Sequence, residues 1–331
     1  MFHIFILWCL LKNLLDQSRI IYFCGKYIIP YISQENILYI IKNLFVISGK
    51  FIFIYHFFDI FKINFSKIMK ILLINPPFSQ INTVYPAILQ LAGFLKKNNY
   101  ETICLDLSNK TFLKIFSSSG LSLIFNSLSK NKLDENLKRI ISLKEKYIGI
   151  IDNIISFLQG KDNSLAYIFA NPANLPQAKY FENINYEILE KEFGSLGIID
   201  KAKYFCSLVI DDLVFFIKEN ISPFYELSKY AEKLAESNRD FDILYNETKR
   251  ECNIIENFML DILNKQISTL NPNFVAISIP FPGNLLSSLI IGKYIKNNYP
   301  EIKIIFGGGY INTELREIQE ERIFEWRCIC T

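Results

Sequence analysis

Residues 70–75 read Lys-Ile-Leu-Leu-Ile-Asn, a continuous apolar run closed by Pro76-Pro77. Short, branched and bounded by proline, the run predicts a buried parallel strand, because a strand covered on both faces shows no polar alternation. Proline has no N–H for a ladder, so the strand ends at Asn75. Residues 85–97 (YPAILQLAGFLKK) follow. Ile88, Leu91, Ala92 and Leu95 fall at helical spacing, and Pro86 suits a first turn. Asn98-Asn99 closes the helix, and residues 100–107 (YETICLDL) predict a second strand. Strand, helix and strand within ~40 residues make a βαβ unit, right-handed by default.

The same grammar returns near the C-terminus. Residues 274–279 (FVAISI) predict a strand ended by Pro280 and Pro282. Residues 284–297 predict a helix with Asn284 as N-cap. Residues 302–306 (IKIIF) predict the next strand, followed by Gly307-Gly308-Gly309. The expected fold is α/β: a Rossmann-like, doubly wound parallel sheet to which residues 69–110 and 271–326 each supply half.

Residues 111–270 separate the halves. An insert of about 160 residues is too long for a loop and must carry its own structure. Its periodicity is helical over 204–219, over 222–236 with Ser222 as N-cap and Pro223 at the first helical position, and over 242–263. The expectation is a helical subdomain capping the sheet. Asn171-Pro172 and Leu175-Pro176 mark a loop within it.

Residues 1–68 differ from the rest. They are very apolar, yet Lys12, Lys26, Lys42, Lys50 and Asp59 interrupt every run short of the ~18 residues that span a bilayer. A membrane-associated helical segment and a helical extension packed on the domain are two readings. The favoured third is that this stretch is not native and that Met69, opening MKILLINPP, is the natural start. Membrane contact is therefore not favoured.

The 331 residues contain 36 Lys+Arg and 33 Asp+Glu, a net charge of +3, which argues against a nucleic-acid binder. Seven scattered cysteines fit a reducing, cytoplasmic setting. His3 and His56 are the only histidines, so a mechanism needing one after residue 56 is excluded. There is no GxxxxGK[ST], and no GxGxxG between a strand and a helix. Cys328-Ile-Cys330 is too close-spaced for a zinc or iron–sulfur set.

In an open parallel sheet, ligands bind outside the carboxyl ends of the strands where strand order reverses. The unusual residues lie at those ends: Asn75, Pro76 and Pro77 after the first strand, Asp106 and Ser108 after the second, Ser278, Pro280 and Asn284 after the third, and Gly307, Gly308 and Gly309 after the fourth. Serine and asparagine side chains can donate or accept, and glycine permits close backbone approach. The plainer readings are that the triple glycine is a tight turn and that Asp106 caps the next element.

KILLINPPFSQINTVYPAILQLAGFLKKNNYETICLDLS together with FVAISIPFPGNLLSSLIIGKYIKNNYPEIKIIFGGGYINTELRE resembles the cobalamin-binding domain of B12-dependent radical SAM proteins. The resemblance covers residues 69–110 and 271–326 and leaves the insert unexplained. It implies a corrinoid whose tail lies between sheet and helices, with Asn75, Pro76, Pro77, Ser108, Ser278, Pro280, Asn284 and Gly307 to Gly309 as contacts. Ser278 would hydrogen-bond the nucleotide tail. The Ser-x-Leu element of that family is matched only by Ser278, and its Gly-Gly element by Gly307-Gly308. The Asp-x-His-x-x-Gly loop is absent, so cobalamin would be held without a histidine ligand. The Cys-x3-Cys-x2-Cys set that holds a [4Fe–4S] cluster and S-adenosylmethionine is also absent. The expectation is a chain that stops before the catalytic barrel, with residues 327–331 as an aberrant tail, a substrate left undetermined, and no radical chemistry by this chain alone. The alternatives are a flavodoxin- or receiver-like module binding no corrinoid, and a membrane-associated interaction protein built on residues 1–68.

Overall fold

A computed structural model describes residues 69–331 apart from 80, 82–84, 128–133, 183, 186, 188, 190, 192, 195, 196, 228–240, 316–321, 323–327, 330 and 331. The three readings of residues 1–68 lie outside the described residues.

The apolar run and its proline stop produce β1, Lys70–Asn75, with five of its six residues buried. Helix α1, Ala87–Lys97, buries Ile88, Leu91, Ala92 and Leu95, the positions the periodicity picks out. Strand β2, Glu101–Asp106, follows. In the C-terminal half, β3 (Phe274–Ser278), α10 (Leu285–Asn298) and β4 (Lys303–Gly307) repeat the order. Cys328–Ile329 forms β5, pairing in parallel with Ile304 and Ile305, so part of the expected tail joins the sheet.

Every pair in the sheet is parallel and the order is β2-β1-β3-β4-β5. This is an α/β, Rossmann-like architecture whose strand order reverses between β1 and β3. Register aligns the strand ends: Asn75 stands opposite Asp106, Ile74 opposite Ile277, and Ser278 opposite Gly307.

Between β2 and β3 the chain is helical, in α2 (Leu107–Ile115), α3 (Ser118–Asn126), α4 (Glu135–Ser142), α5 (Lys144–Leu158), α6 (Ala166–Phe169), α7 (Ile198–Asn220), α8 (Phe241–Lys249) and α9 (Ile254–Leu270). Helix α2 starts directly after β2 because the Asp106 side chain caps it, accepting from Asn109 N at 3.1 Å. It runs through the 110/111 boundary drawn from sequence. One continuous core joins Leu72, Ile74, Val275 and Phe306 of the sheet to Tyr147, Phe205 and Phe216 of the insert, and residues 70–331 form one compact unit.

Two helical expectations are corrected. The pattern over 242–263 is not one helix: it breaks at residues 250–253, where Asn253 and Glu256 form a reciprocal capping box that starts α9. Ser222 does not cap a helix either. Residues 221–227 are turn, the Ser222 hydroxyl has no hydrogen-bond partner, and 228–236 lie outside the described residues.

No helix among the described residues is long and apolar enough to cross a membrane.

Candidate functional site

The reversal of strand order sets the exits of β1 and β3 side by side and sends their chains to opposite faces. Such a crest opens a crevice between the two departing loops. The candidate residues from β1 and β3 meet there, and a polar network holds them. Asn284 donates from Nδ2 to the Pro76 carbonyl at 3.1 Å and to Ser79 Oγ at 3.4 Å. Ser79 Oγ donates to Asn75 Oδ1 at 3.0 Å, and Asn75 Nδ2 donates to Asp106 Oδ1 at 3.2 Å. Ser108 Oγ accepts from Ser79 N at 2.9 Å. Ser287 Oγ donates to the Pro77 carbonyl. Asn75, Ser79, Ser108, Ser278, Asn284 and Ser287 are all buried.

Asn284 stands at the N-cap position of α10, but its backbone is helical and its side chain caps nothing. A residue in αR conformation aims its side chain away from the first-turn amides. The amide therefore turns to the β1 exit. Its Oδ1 is buried and unpartnered.

The triple glycine serves the sheet. Gly307 closes β4 and accepts from Ile279 N at 2.6 Å. Gly308 has φ +115° and lies against the Ile279 peptide, while Gly309 begins the short helix Gly309–Thr313. The chain's own backbone thus fills the space that the glycines would otherwise open.

Ser79, Ser287 and Phe78 belong to this crest and were not singled out from sequence. Ser79 lies in the loop after β1. For Ser287 the available signal is a pair of adjacent serines, Ser287 and Ser288, in an otherwise apolar helical stretch, and both are buried. On the solvent side, the rings of Tyr85 and Phe281 meet at 6.4 Å and 64°, with Phe281 half exposed. Burial raises the pKa of Tyr85.

The crest so described fits a corrinoid only in part. The implied contacts are gathered, yet Phe78 fills the slot between β1 and the helices, packing edge-on against the buried Tyr225 ring at 5.1 Å. The adjoining pocket has room for about one water molecule. A nucleotide tail has no place there unless residues 76–79 move. No set of three or more His, Cys, Asp or Glu side chains suited to a metal is found among the described residues.

Comparison with known protein families, curated proteins and solved structures finds no match to this chain.

Proposed function

We propose that residues 69–110 and 271–326 form a corrinoid-binding α/β domain, with cobalamin held at the β1–β3 crest by Asn75, Ser278 and Asn284 and without a histidine ligand. The observation that carries this reading is the reversal of strand order between β1 and β3, with polar residues at both exits. The unpartnered Asn284 Oδ1 supports it, because an orphaned buried acceptor is rare in folded proteins and a ligand's amide could satisfy it. Asn75, Ser278 and Asn284 would hold the nucleotide tail only if residues 76–79 gave up their ties to Asn284. A cytoplasmic setting belongs to the same reading, supported by the free thiols of Cys104, Cys206 and Cys252.

Titration of the full chain with hydroxocobalamin tests it. The expected result is a change in the visible spectrum that weakens on Asn284→Leu substitution. An unchanged spectrum at high micromolar protein and ligand overturns it.

The filled slot favours a second reading, a flavodoxin-like module that takes a flat ring against Tyr85 and Phe281. Quenching of riboflavin fluorescence, with no response to hydroxocobalamin, would select this reading.

A further inference from the structure

The sheet has two edges, and they are built differently. At one end β5 is 2 residues long, and a strand that short offers little to pair with. At the other end β2 presents 6 residues, Glu101–Asp106. Among the described residues, no strand lies beyond β2 and no backbone hydrogen bond reaches its outer side. The N–H and C=O groups that point away from β1 are therefore without a backbone partner. Natural edges are blunted by proline, a bulge or a lysine. β2 has none of these. It reads Glu-Thr-Ile-Cys-Leu-Asp and keeps unbroken register with β1, from Lys70 opposite Glu101 to Asn75 opposite Asp106. Its charges stand only at the two ends. Ile103 and Cys104, in the middle, are half-buried, whereas their neighbours on β1, Leu72 and Leu73, are fully buried.

We propose that β2 is an interface between two copies of this chain, paired antiparallel about a two-fold axis at Cys104, so that two sheets join into one. The residues of the strand select both the occupant and the register. A two-fold axis between Ile103 and Cys104 sets Glu101 opposite Asp106 of the second copy at both ends, and like charges directly opposite destabilise a strand pair. An axis at Ile103 sets Glu101 opposite Leu105. An axis at Cys104 sets Ile103 opposite Leu105 twice, Thr102 opposite Asp106 twice, and Cys104 opposite Cys104. Apolar then meets apolar, a hydroxyl meets a carboxylate, and no like charges face each other. Asn75 Nδ2 and Asn109 N both donate to Asp106 Oδ1, which leaves Oδ2 to accept from the hydroxyl. Two-fold pairing of this kind closes the long edge and leaves only the short β5 edge of each copy outside. It does not depend on what the β1–β3 crest binds.

Sedimentation of the full chain at about 50 μM tests the proposal, and the expected species is a dimer. Diamide, which takes two electrons and two protons from a pair of thiols, should then link the copies through Cys104. The link is read by mass spectrometry as a Cys104–Cys104 peptide, and Cys104→Ser should lose it. Ile103→Lys puts a charge at the centre of the edge and is expected to weaken the dimer roughly tenfold or more. A monomeric native chain overturns the proposal. So does a dimer that forms no Cys104 link, or one that Ile103→Lys leaves intact, because association then resides elsewhere in the chain. Where Ile103→Lys does not fold, the presence or absence of the Cys104 link in the native chain decides alone.

Discussion

A Cβ placed on Gly308 would lie 2.5 Å from the carbonyl oxygen of Ile279 and 2.7 Å from its nitrogen. The exit of β4 therefore passes directly over the exit of β3. Two backbone bonds pin the crossing: Ile279 N donates to Gly307 O at 2.6 Å and Tyr310 N donates to Ile279 O at 3.2 Å. Gly308 also has φ +115°, a conformation that side chains disfavour.

Gly308→Ala is accordingly expected to destabilise the fold by about 2–4 kcal/mol, combining backbone strain with a clash against immovable backbone. Gly309→Ala should cost less, since its added Cβ meets the Pro280 carbonyl oxygen at 3.3 Å. Urea unfolding of the two variants checks this. Equal stability would mean that the crossing is looser than described.

Asp212 is a buried carboxylate on α7 that anchors the turn before α7. It accepts from Tyr147 OH at 3.0 Å, Ala178 N at 3.1 Å and Tyr180 N at 3.0 Å. Asp212→Asn replaces one acceptor oxygen with a donor and should cost about 1–3 kcal/mol. Burial holds the Asp212 pKa above the ordinary carboxylate range, outweighing these bonds and the pull of Arg139. A raised folded-state pKa means that the folded chain binds the proton more tightly than the unfolded one. The resulting stability is fully present below the unfolded pKa and is lost as pH rises through the folded one. Asp211 is raised by burial in the same direction. The gap in unfolding free energy between the native chain and Asp212→Asn should therefore widen on acidification from neutral pH into the carboxylate range. A gap that narrows would refute the burial argument.

Arg250 and Glu256 form a bidentate pair with Glu256 almost fully buried, whereas Arg139 and Glu182 pair at the surface with both side chains nearly half exposed. Removing the partner of a buried charge leaves it uncompensated, while an exposed pair is screened by water. Arg250→Ala should cost about 2 kcal/mol and Arg139→Ala less than about 0.5 kcal/mol. Chemical denaturation of both variants in the same buffer gives the comparison. Similar losses would show that the Glu256 site is wetter than its burial indicates.

Strands β1 to β4, the two flanking helices and the crest residues Asn75, Ser108 and Asn284 were legible because apolar runs, helical spacing and proline stops are local signals. The break at 250–253 was legible only as a capping box, since Asn253 and Glu256 fit an unbroken helical period equally well. The turn at Ser222 carried a strong start signal that the fold does not use there. Phe78 and Tyr225 gave no sign of their pairing, because nothing in a sequence shows that aromatic rings 147 positions apart will meet.

Residue order alone determined strands β1 to β4, where they stop, and the asparagine, serine and glycine residues that directly follow them, because periodicity and proline act over a few residues. Tertiary structure decided what those ends do. Strand order set β1 beside β3, register levelled Asn75 with Asp106 and Ser278 with Gly307, and packing turned Asn284 from a helix cap into a tie on Pro76. The β1–β3 pairing and the Asn284–Pro76 tie join residues some two hundred positions apart, which only the closed sheet brings within hydrogen-bond reach.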